Sequence, residues 1–417
     1  MQLLNRAYIY IYFFVLLLYV SFNKGVAYSY MAEILLVAGI LVLFINRKNL
    51  ELAIDTKQIL VGVFILISFL YILIGLYQYP ILNVLRDSLA FQYAWFAFII
   101  YFFKSESEFI WRKIIVIYKW VPLILFLNFI LFYLIFIYLP LINIFGDQHI
   151  LIYKNGDKSV HLLISTILMF LYSERFSRKW LVGNTILIVI NLLIALALTR
   201  SGSLAYIFAI FSFFFFSKHK ILNESARKVL KYVPIIIVIG MGLFVAIDIQ
   251  GEAQGRTVSF MQITQNFSSI ISSDIEGNLS DNKIWRLIWW AQIFNESFTL
   301  QHFFVGKGLG MSLVGTNVIT SDENLRSPHN FHLTILARFG YIVLITWIIW
   351  LVSLFKPLFT RKLAGKTLAI TSILLAFIIN GSFDVFFEGP MGAFPFWTFV
   401  GLLFIENTYG SPTEIPS

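Results

Sequence analysis

Residues 180–217 read WLVGNTILIVINLLIALALTRSGSLAYIFAIFSFFFFS. Two apolar runs, at 180 to 198 and 203 to 217, flank the step Thr199-Arg200-Ser201-Gly202-Ser203. About 20 apolar residues cross a bilayer, with about 17 as the usual lower limit. The second run is short, so its ends must snorkel or the bilayer must thin around it. Burying an unpaired guanidinium at the bilayer centre costs at least about 2.5–3.5 kcal/mol. Arg200 is therefore expected at a membrane interface or beside an anion.

The same pattern runs through the whole chain. Of 417 residues, 59% are hydrophobic, 18% aromatic and 13% charged, with a mean hydropathy of +0.82. Soluble domains run about 45–50% apolar and about 25% charged, so a soluble enzyme is excluded. Apolar runs lie at 7 to 22, 26 to 45, 59 to 77, 85 to 103, 114 to 139, 159 to 173, 180 to 198, 203 to 217, 232 to 249, 331 to 354, 367 to 383 and 393 to 405. They predict an all-α, polytopic transmembrane helix bundle of about twelve spans. The expected organisation is nine spans over 1–249, a long loop over 250–329, three spans over 330–405 and a tail at 406–417. The first run lacks a small-residue cleavage site and reads as a retained helix.

The formal charge of +9 is explained by sorting of basic residues. One alternate set of short loops carries nineteen Lys and Arg, against four (Lys24, Arg86, Lys154 and Lys158) in the other. By the positive-inside rule both termini are expected in the cytoplasm and the long loop outside. No nucleic-acid partner is needed to account for the charge. There is no cysteine, so thiolate and Cys-metal chemistry are excluded. No Asp-x-Asp pair and no nucleotide-binding loop is present: Gly306 to Gly310 lacks the dinucleotide spacing, and Thr316-Asn317 stands where a phosphate-binding loop needs Lys.

Within the long loop, Lys283 to Leu300 places Ile284, Leu287, Ile288 and Ala291 at helical spacing beside Trp285, Trp289 and Trp290. That is the pattern of an amphipathic helix lying at the membrane surface. Trp289 and Trp290, at i+3 and i+4 from Arg286, are placed to stack on its guanidinium; the plainer reading of Arg286 is an interfacial anchor. Gly306-Lys307-Gly308 is either a backbone anion site or an ordinary turn. Pro328-His329-Asn330 opens a helix, which puts His329 in its first turn and His332 on the same face. An imidazole there suits general acid-base work; a structural cap of the helix is the plainer reading. Two His at i, i+3 without a third ligand fall short of a metal site. Asp384 and Glu388, in the last outer loop, are near enough in topology to share a pocket with these motifs, with solvated loop carboxylates as the plainer reading; Glu33, Lys119 and Arg338 read as isolated charges inside spans.

The spans together with Thr199-Arg200-Ser201-Gly202, Trp285-Arg286, Gly306-Lys307-Gly308 and Pro328-His329-Asn330, in that order, resemble the O-antigen ligase and polymerase family of bacterial envelope enzymes, over about 180 to 350. The resemblance implies transfer of an oligosaccharide from a polyprenyl (undecaprenyl) diphosphate carrier to an acceptor glycan. It places the reaction on the outer face of the bacterial cytoplasmic membrane, without metal or other cofactor. It also implies Arg200 and Arg286 on the donor diphosphate and His329 as catalytic base, supported by Ser201, Gly202, Trp289, Trp290, Gly306, Gly308, Asn330 and His332. Ligases commonly follow His-Asn by nine residues, Gly, two residues and then Gly, Thr or Tyr. Here His329-Asn330 and Gly340 fit and Val343 fills the last place. The expectation is thus a polymerase, whose acceptor is a lipid-linked repeat unit, ahead of a ligase, whose acceptor is the lipopolysaccharide core. A secondary transporter or lipid-linked sugar flippase is the competing class.

Overall fold

The computed structural model describes residues 2–46, 55–135, 150–151, 153–217, 224–245, 249–251, 256–271, 278–313, 327–360, 363 and 365–409. Thr316-Asn317, most of the 406–417 tail and the end of the 114 to 139 run lie outside the described residues. The helices of the first half are α1 (Gln2–Phe22), α2 (Met31–Ile45), α3 (Thr56–Gln78), α4 (Ile81–Gln92), α5 (Trp95–Phe102), α6 (Ser107–Phe129), α7 (Asn155–Leu171) and α8 (Arg178–Leu198). Then come α9 (Ser201–Phe216), α10 (Glu224–Val245), α11 (Phe260–Ile271), α12 (Asn278–Ser297), α13 (Leu300–Val305), α14 (Phe331–Thr360), α15 (Gly365–Gly381) and α16 (Pro390–Tyr409). The only described strands, Ile249–Gly251 (β1) and Arg256–Val258 (β2), form a small antiparallel hairpin with Gln250 opposite Thr257.

Five helical stretches, Leu4–Val26, Thr56–Gln78, Lys104–Phe132, Arg178–Leu198 and Phe331–Thr360, are long and apolar enough to cross a membrane. Met31–Ile45, Ser201–Phe216, Val233–Gly242 and Gly365–Gly381 are shorter apolar helices. Large apolar side chains also point outward from them: Ile34, Leu66, Phe211 and Val352 are all more than half exposed. Surface of that kind is stable only against lipid or another apolar partner. The chain is an all-α membrane protein.

The centre of the bundle is α7 and α15, which pack on each other and on α9, while α16 packs on α5 and α15. Phe377, Phe386, Phe396 and Trp397 are all buried there. Deviations from straight helix have local causes. The run at 85 to 103, expected as one span, is two helices: at Ala94, Phe96 and Ala97 the amides bond three residues back instead of four, which tightens the backbone between α4 and α5. That turn carries Tyr93, whose hydroxyl donates to Glu33. In α6, Pro122 cannot bond the Tyr118 carbonyl. The Ser165 hydroxyl of α7 does so instead, at 2.7 Å. The Lys119 ammonium lies over the rings of Trp120, Phe176 and Trp180 at 5.5, 5.7 and 5.2 Å.

The run at 331 to 354 is also broken, at Gly340, where φ is +78° inside α14. The kink lets α13 and the following glycine turn pack against the helix. A Cβ on Gly340 would lie 2.5 Å from the Phe303 carbonyl oxygen. Gly340→Ala therefore combines a positive φ with a backbone clash, and backbone strain alone costs about 1–3 kcal/mol. The expected outcome is a lower thermal unfolding midpoint in detergent, with Gly183→Ala, where nothing lies within 4 Å of the new methyl, as control. Equal midpoints would contradict the kink's role.

Candidate functional site

Helix α8 ends because Thr199 turns extended, and α9 restarts two residues later with Arg200 at its N-cap. Gly202 then packs on the start of α7: a Cβ there would lie 2.6 Å from the Gly156 carbonyl oxygen. Around Gly156 sit the Asn380 side-chain oxygen, Asp384 Oδ2 and Ser201 Oγ. Ser201 and Gly202 thus set the close approach of α7 and α9 beside Asp384.

The first turn of α7 is polar yet buried. Asp157 is fully buried and accepts amide hydrogens from Asn23 at 3.1 Å and Asn380 at 3.2 Å. Lys154, just before the helix, pairs with Asp384 Oδ1 at 2.7 Å. Burial opposes the ammonium charge, but Asp384 and Asp157 outweigh it and raise the Lys154 pKa. Burial likewise opposes the Asp384 charge, and Lys154, followed by His329 and the Val385 amide, nonetheless hold that carboxyl below its ordinary value. Asp384 is an ion-paired residue of the bundle interior and not the solvated loop carboxylate expected. Glu388 also departs from expectation: it is half-buried and bonded to Ser327 and Thr334, and desolvation raises its pKa.

His329 does not lie in the first turn of a helix. It sits ahead of α14 in a left-handed conformation, φ +56°, while Asn330 caps the helix by accepting from the His332 and Leu333 amides at 3.0 and 3.1 Å. This separates the two imidazoles. His332 is committed to the interior, with Ser382 Oγ 3.0 Å from its Nε2 and the Trp347 indole donating to its Nδ1. His329 Nδ1 lies 3.5 Å from Arg286 Nη2 and 3.9 Å from Asp384 Oδ1. Its ring meets Trp285 edge-on at 5.5 Å.

Helix α12 delivers Arg286. Nη1 donates to the Phe383 carbonyl at 2.9 Å, and the guanidinium lies 5.6 Å from the Trp285 ring centroid. The stacking partner is therefore the preceding residue, because Trp289 and Trp290 are used elsewhere. Trp289 is buried and donates to the Leu313 carbonyl, and Trp290 donates to Pro328 at 2.6 Å, bracing the His329 turn. The opposite face of α12 is apolar and open, with Ile284 48%, Leu287 50% and Ile288 42% exposed. Arg200 is close enough for its charge to act on Arg286; burial, Asp384 and Arg200 together leave the Arg286 pKa lowered, and burial lowers that of Arg200.

The glycine turn belongs to another site. The amides of Gly306, Lys307, Gly308 and Gly310 donate to His302, Ala337, Arg338 and Asp87 respectively, so none of these four is left to face an anion. Arg338, buried in α14, pairs with Asp87 at 2.9 Å and donates to the Gly308 and Met311 carbonyls. The turn locks the α14 kink. Gly306 and Gly308 are structural.

Arg200, Arg286 and His329 therefore gather at one end of the bundle with Lys154, Asp157 and Asp384. The first three are singled out by the sequence, and Asp384 is weighed there as a possible neighbour. The sequence reading gives Lys154 and Asp157 no such role, although Lys154-Asn155-Gly156-Asp157-Lys158, a polar run entering an apolar one, is a signal that a count of basic residues alone passes over. Among the described residues no group of three His, Asp or Glu side chains is placed to hold a metal ion. Chemically, the cluster offers guanidinium groups for an anion and a neutral imidazole for a proton. No known protein-family model matches the chain, and no curated protein matches it either.

Burial, with Arg286, lowers the His329 pKa from 6.5 to about 4 against the pull of Asp384. Because the unfolded chain then binds the proton more tightly, His329 favours folding above pH 6.5, and this contribution is lost as pH falls towards 4. Histidine-selective NMR is expected to show this imidazole still neutral at pH 5.5; a midpoint near 6.5 would contradict the burial and the cationic neighbour.

Proposed function

We propose that the protein is a membrane glycosyltransferase that moves an oligosaccharide from a polyprenyl diphosphate carrier to an acceptor glycan. One observation carries the reading: Arg286 and His329, 43 positions apart in sequence, meet at 3.5 Å with the charge of Arg200 close by. A glycosyl diphosphate leaves as an anion, and guanidinium groups bind phosphate oxygens with two parallel hydrogen bonds. Two arginines suit the charge that grows as the anomeric C–O bond breaks. The acceptor hydroxyl attacks the anomeric carbon and its proton passes to His329.

The surroundings of His329 suit this sequence of events. While Arg286 faces Nδ1, the ring proton belongs on Nε2. A diphosphate drawing the guanidinium away leaves Nδ1 to Asp384, 3.9 Å off. A proton on Nδ1 then orients towards that carboxylate and bares Nε2 as the base. Donor binding and base activation are thereby coupled.

The reading has about twelve spans, both termini in the cytoplasm and the site on the outer face of a bacterial cytoplasmic membrane, as the basic-residue asymmetry favours. The open apolar face of α12 rests on the lipid surface in this orientation, beside a donor that is itself a lipid. Val343 in place of Gly, Thr or Tyr favours a repeat-unit polymerase of O-antigen or capsule over a ligase. A flippase or transporter is the second reading, favoured by Asp157, Lys158 and His161, all buried along α7.

Replacing His329 by Ala is expected to lower turnover about 10²- to 10⁴-fold without loss of membrane insertion; near-normal turnover would remove the base from the account. Arg200→Ala and Arg286→Ala are each expected to weaken donor use by roughly one to two orders of magnitude, the effect of losing a charged hydrogen bond. Gel analysis of surface glycan after deletion separates the alternatives: chains of one repeat unit mark a polymerase, long chains left on the carrier a ligase, and unchanged glycan neither.

A further inference from the structure

The connection between α15 and α16 carries a second, half-buried acid with no ion-pair partner among the described residues. Glu388 ends the 3₁₀ turn Phe386–Glu388. Its Oε1 instead accepts two hydroxyl hydrogen bonds, from Ser327 and, at 2.9 Å, from Thr334. Withdrawing part of a carboxylate from water has a cost unless it is hydrogen-bonded. What it joins is informative.

Ser327 lies two residues before His329, and its Oγ accepts the His329 amide hydrogen at 3.2 Å. Thr334 lies in the first turn of α14, and its hydroxyl also reaches the Asn330 carbonyl at 3.1 Å. Glu388 therefore bridges the residues on both sides of the imidazole. Between them His329 holds φ +56°, a conformation that a residue with a Cβ adopts reluctantly. Something outside the turn has to maintain it. Trp290 supports the Pro328 carbonyl and Asn330 caps the helix; Glu388 adds a tie from outside the segment, joining Ser327 ahead of the turn to Thr334 in the helix that follows.

We propose that Glu388 is a positioning residue that, by stapling Ser327 to Thr334, fixes the left-handed turn of His329 and keeps Nδ1 between Arg286 and Asp384. Its consequence for turnover rests on the transferase reading given above; its consequence for the turn does not. Glu388 touches no reacting atom in this scheme, since its Oε1 is taken by the two hydroxyls. Its hydrogen-bonding capacity matters and its charge does not, so a Gln at this position, with a carbonyl oxygen in the same place, keeps the staple.

The test uses the purified full-length protein in detergent and two readouts. The first is the rate at which diethyl pyrocarbonate modifies His329 at pH 7, followed by peptide mass spectrometry with His302 of the same molecule as internal reference; it needs no substrate. The second is kcat and KM for the lipid-linked donor. Glu388→Gln is expected to match the wild type in both. Glu388→Ala and Ser327→Ala are expected to change the His329 modification rate severalfold and to lower kcat by up to about 10²-fold, the effect of a misplaced group, with KM nearly constant. The double variant is expected to be no worse than either single one, because both cut the same link. Should Glu388→Ala fail to fold, Ser327→Ala removes the link by loss of one hydroxyl. Equal His329 modification rates in all variants, or equal damage from Gln and Ala at 388, would overturn the proposal. A wild type that shows the expected modification pattern yet transfers no glycan would defeat the transferase reading and leave the staple standing.

Discussion

The contact on which the rest of this end of the bundle depends is the ion pair between Lys154 and Asp384, 2.7 Å apart and mostly buried. It joins the start of α7 to the connection between α15 and α16, at the place where Gly156 and Gly202 bring α7 and α9 into backbone contact. Removing either charge would leave the other mostly buried and without its nearest opposite charge, which is more costly than the pair itself is stabilising. The same carboxylate faces His329 at 3.9 Å. Packing and chemistry thus meet on one side chain: Asp384 is held by a lysine and remains close enough to steer an imidazole.

A wider constraint lies behind this contact. In a helix bundle surrounded by lipid, each backbone or side-chain polar group needs a partner inside the protein. Here the partners are specific. Ser165 takes the carbonyl that Pro122 leaves free, Asn191 donates to the Pro122 carbonyl itself at 2.8 Å, and Tyr93 binds Glu33. Arg338 and Asp87 close on each other while securing the glycine turn at the α14 kink. Among the described residues, the irregular backbone at Pro122, Tyr93, Gly340 and His329 lies at places with such partners. One of those places is the left-handed turn that presents His329.

Much of the helical architecture is legible in the sequence because apolar runs are long, separated by charged clusters and punctuated by Pro and Gly. The all-α class and the helices around 180 to 217 follow from that alone. The helix expected over Lys283 to Leu300 is also legible, as α12 with its open stripe of Ile284, Leu287 and Ile288, although it ends at Ser297 and α13 begins at Leu300. What is not legible is whatever depends on contacts between distant segments. The tightened turn between α4 and α5 contains no Pro or Gly, so nothing local announces it. Trp285 and not Trp289 or Trp290 lies against Arg286 because the latter two indoles bond to Leu313 and Pro328, partners that helical spacing does not show. Pro328 suggests a helix start, but the Asn330 cap moves that start past His329 and sends His332 into the core. Asp384 and Glu388 look like loop carboxylates until Lys154, Ser327 and Thr334 are brought to them by the fold.

In the proposed function this cluster performs transfer at a lipid-bound diphosphate. Reconstituting the purified protein into liposomes with a polyprenyl-diphosphate-linked oligosaccharide and no nucleotide tests that most directly. The account predicts a lengthened or newly attached glycan together with one free polyprenyl diphosphate for each glycosidic bond formed. A donor that crosses the bilayer with its sugar still attached, or that stays intact in the leaflet it started from, would contradict it.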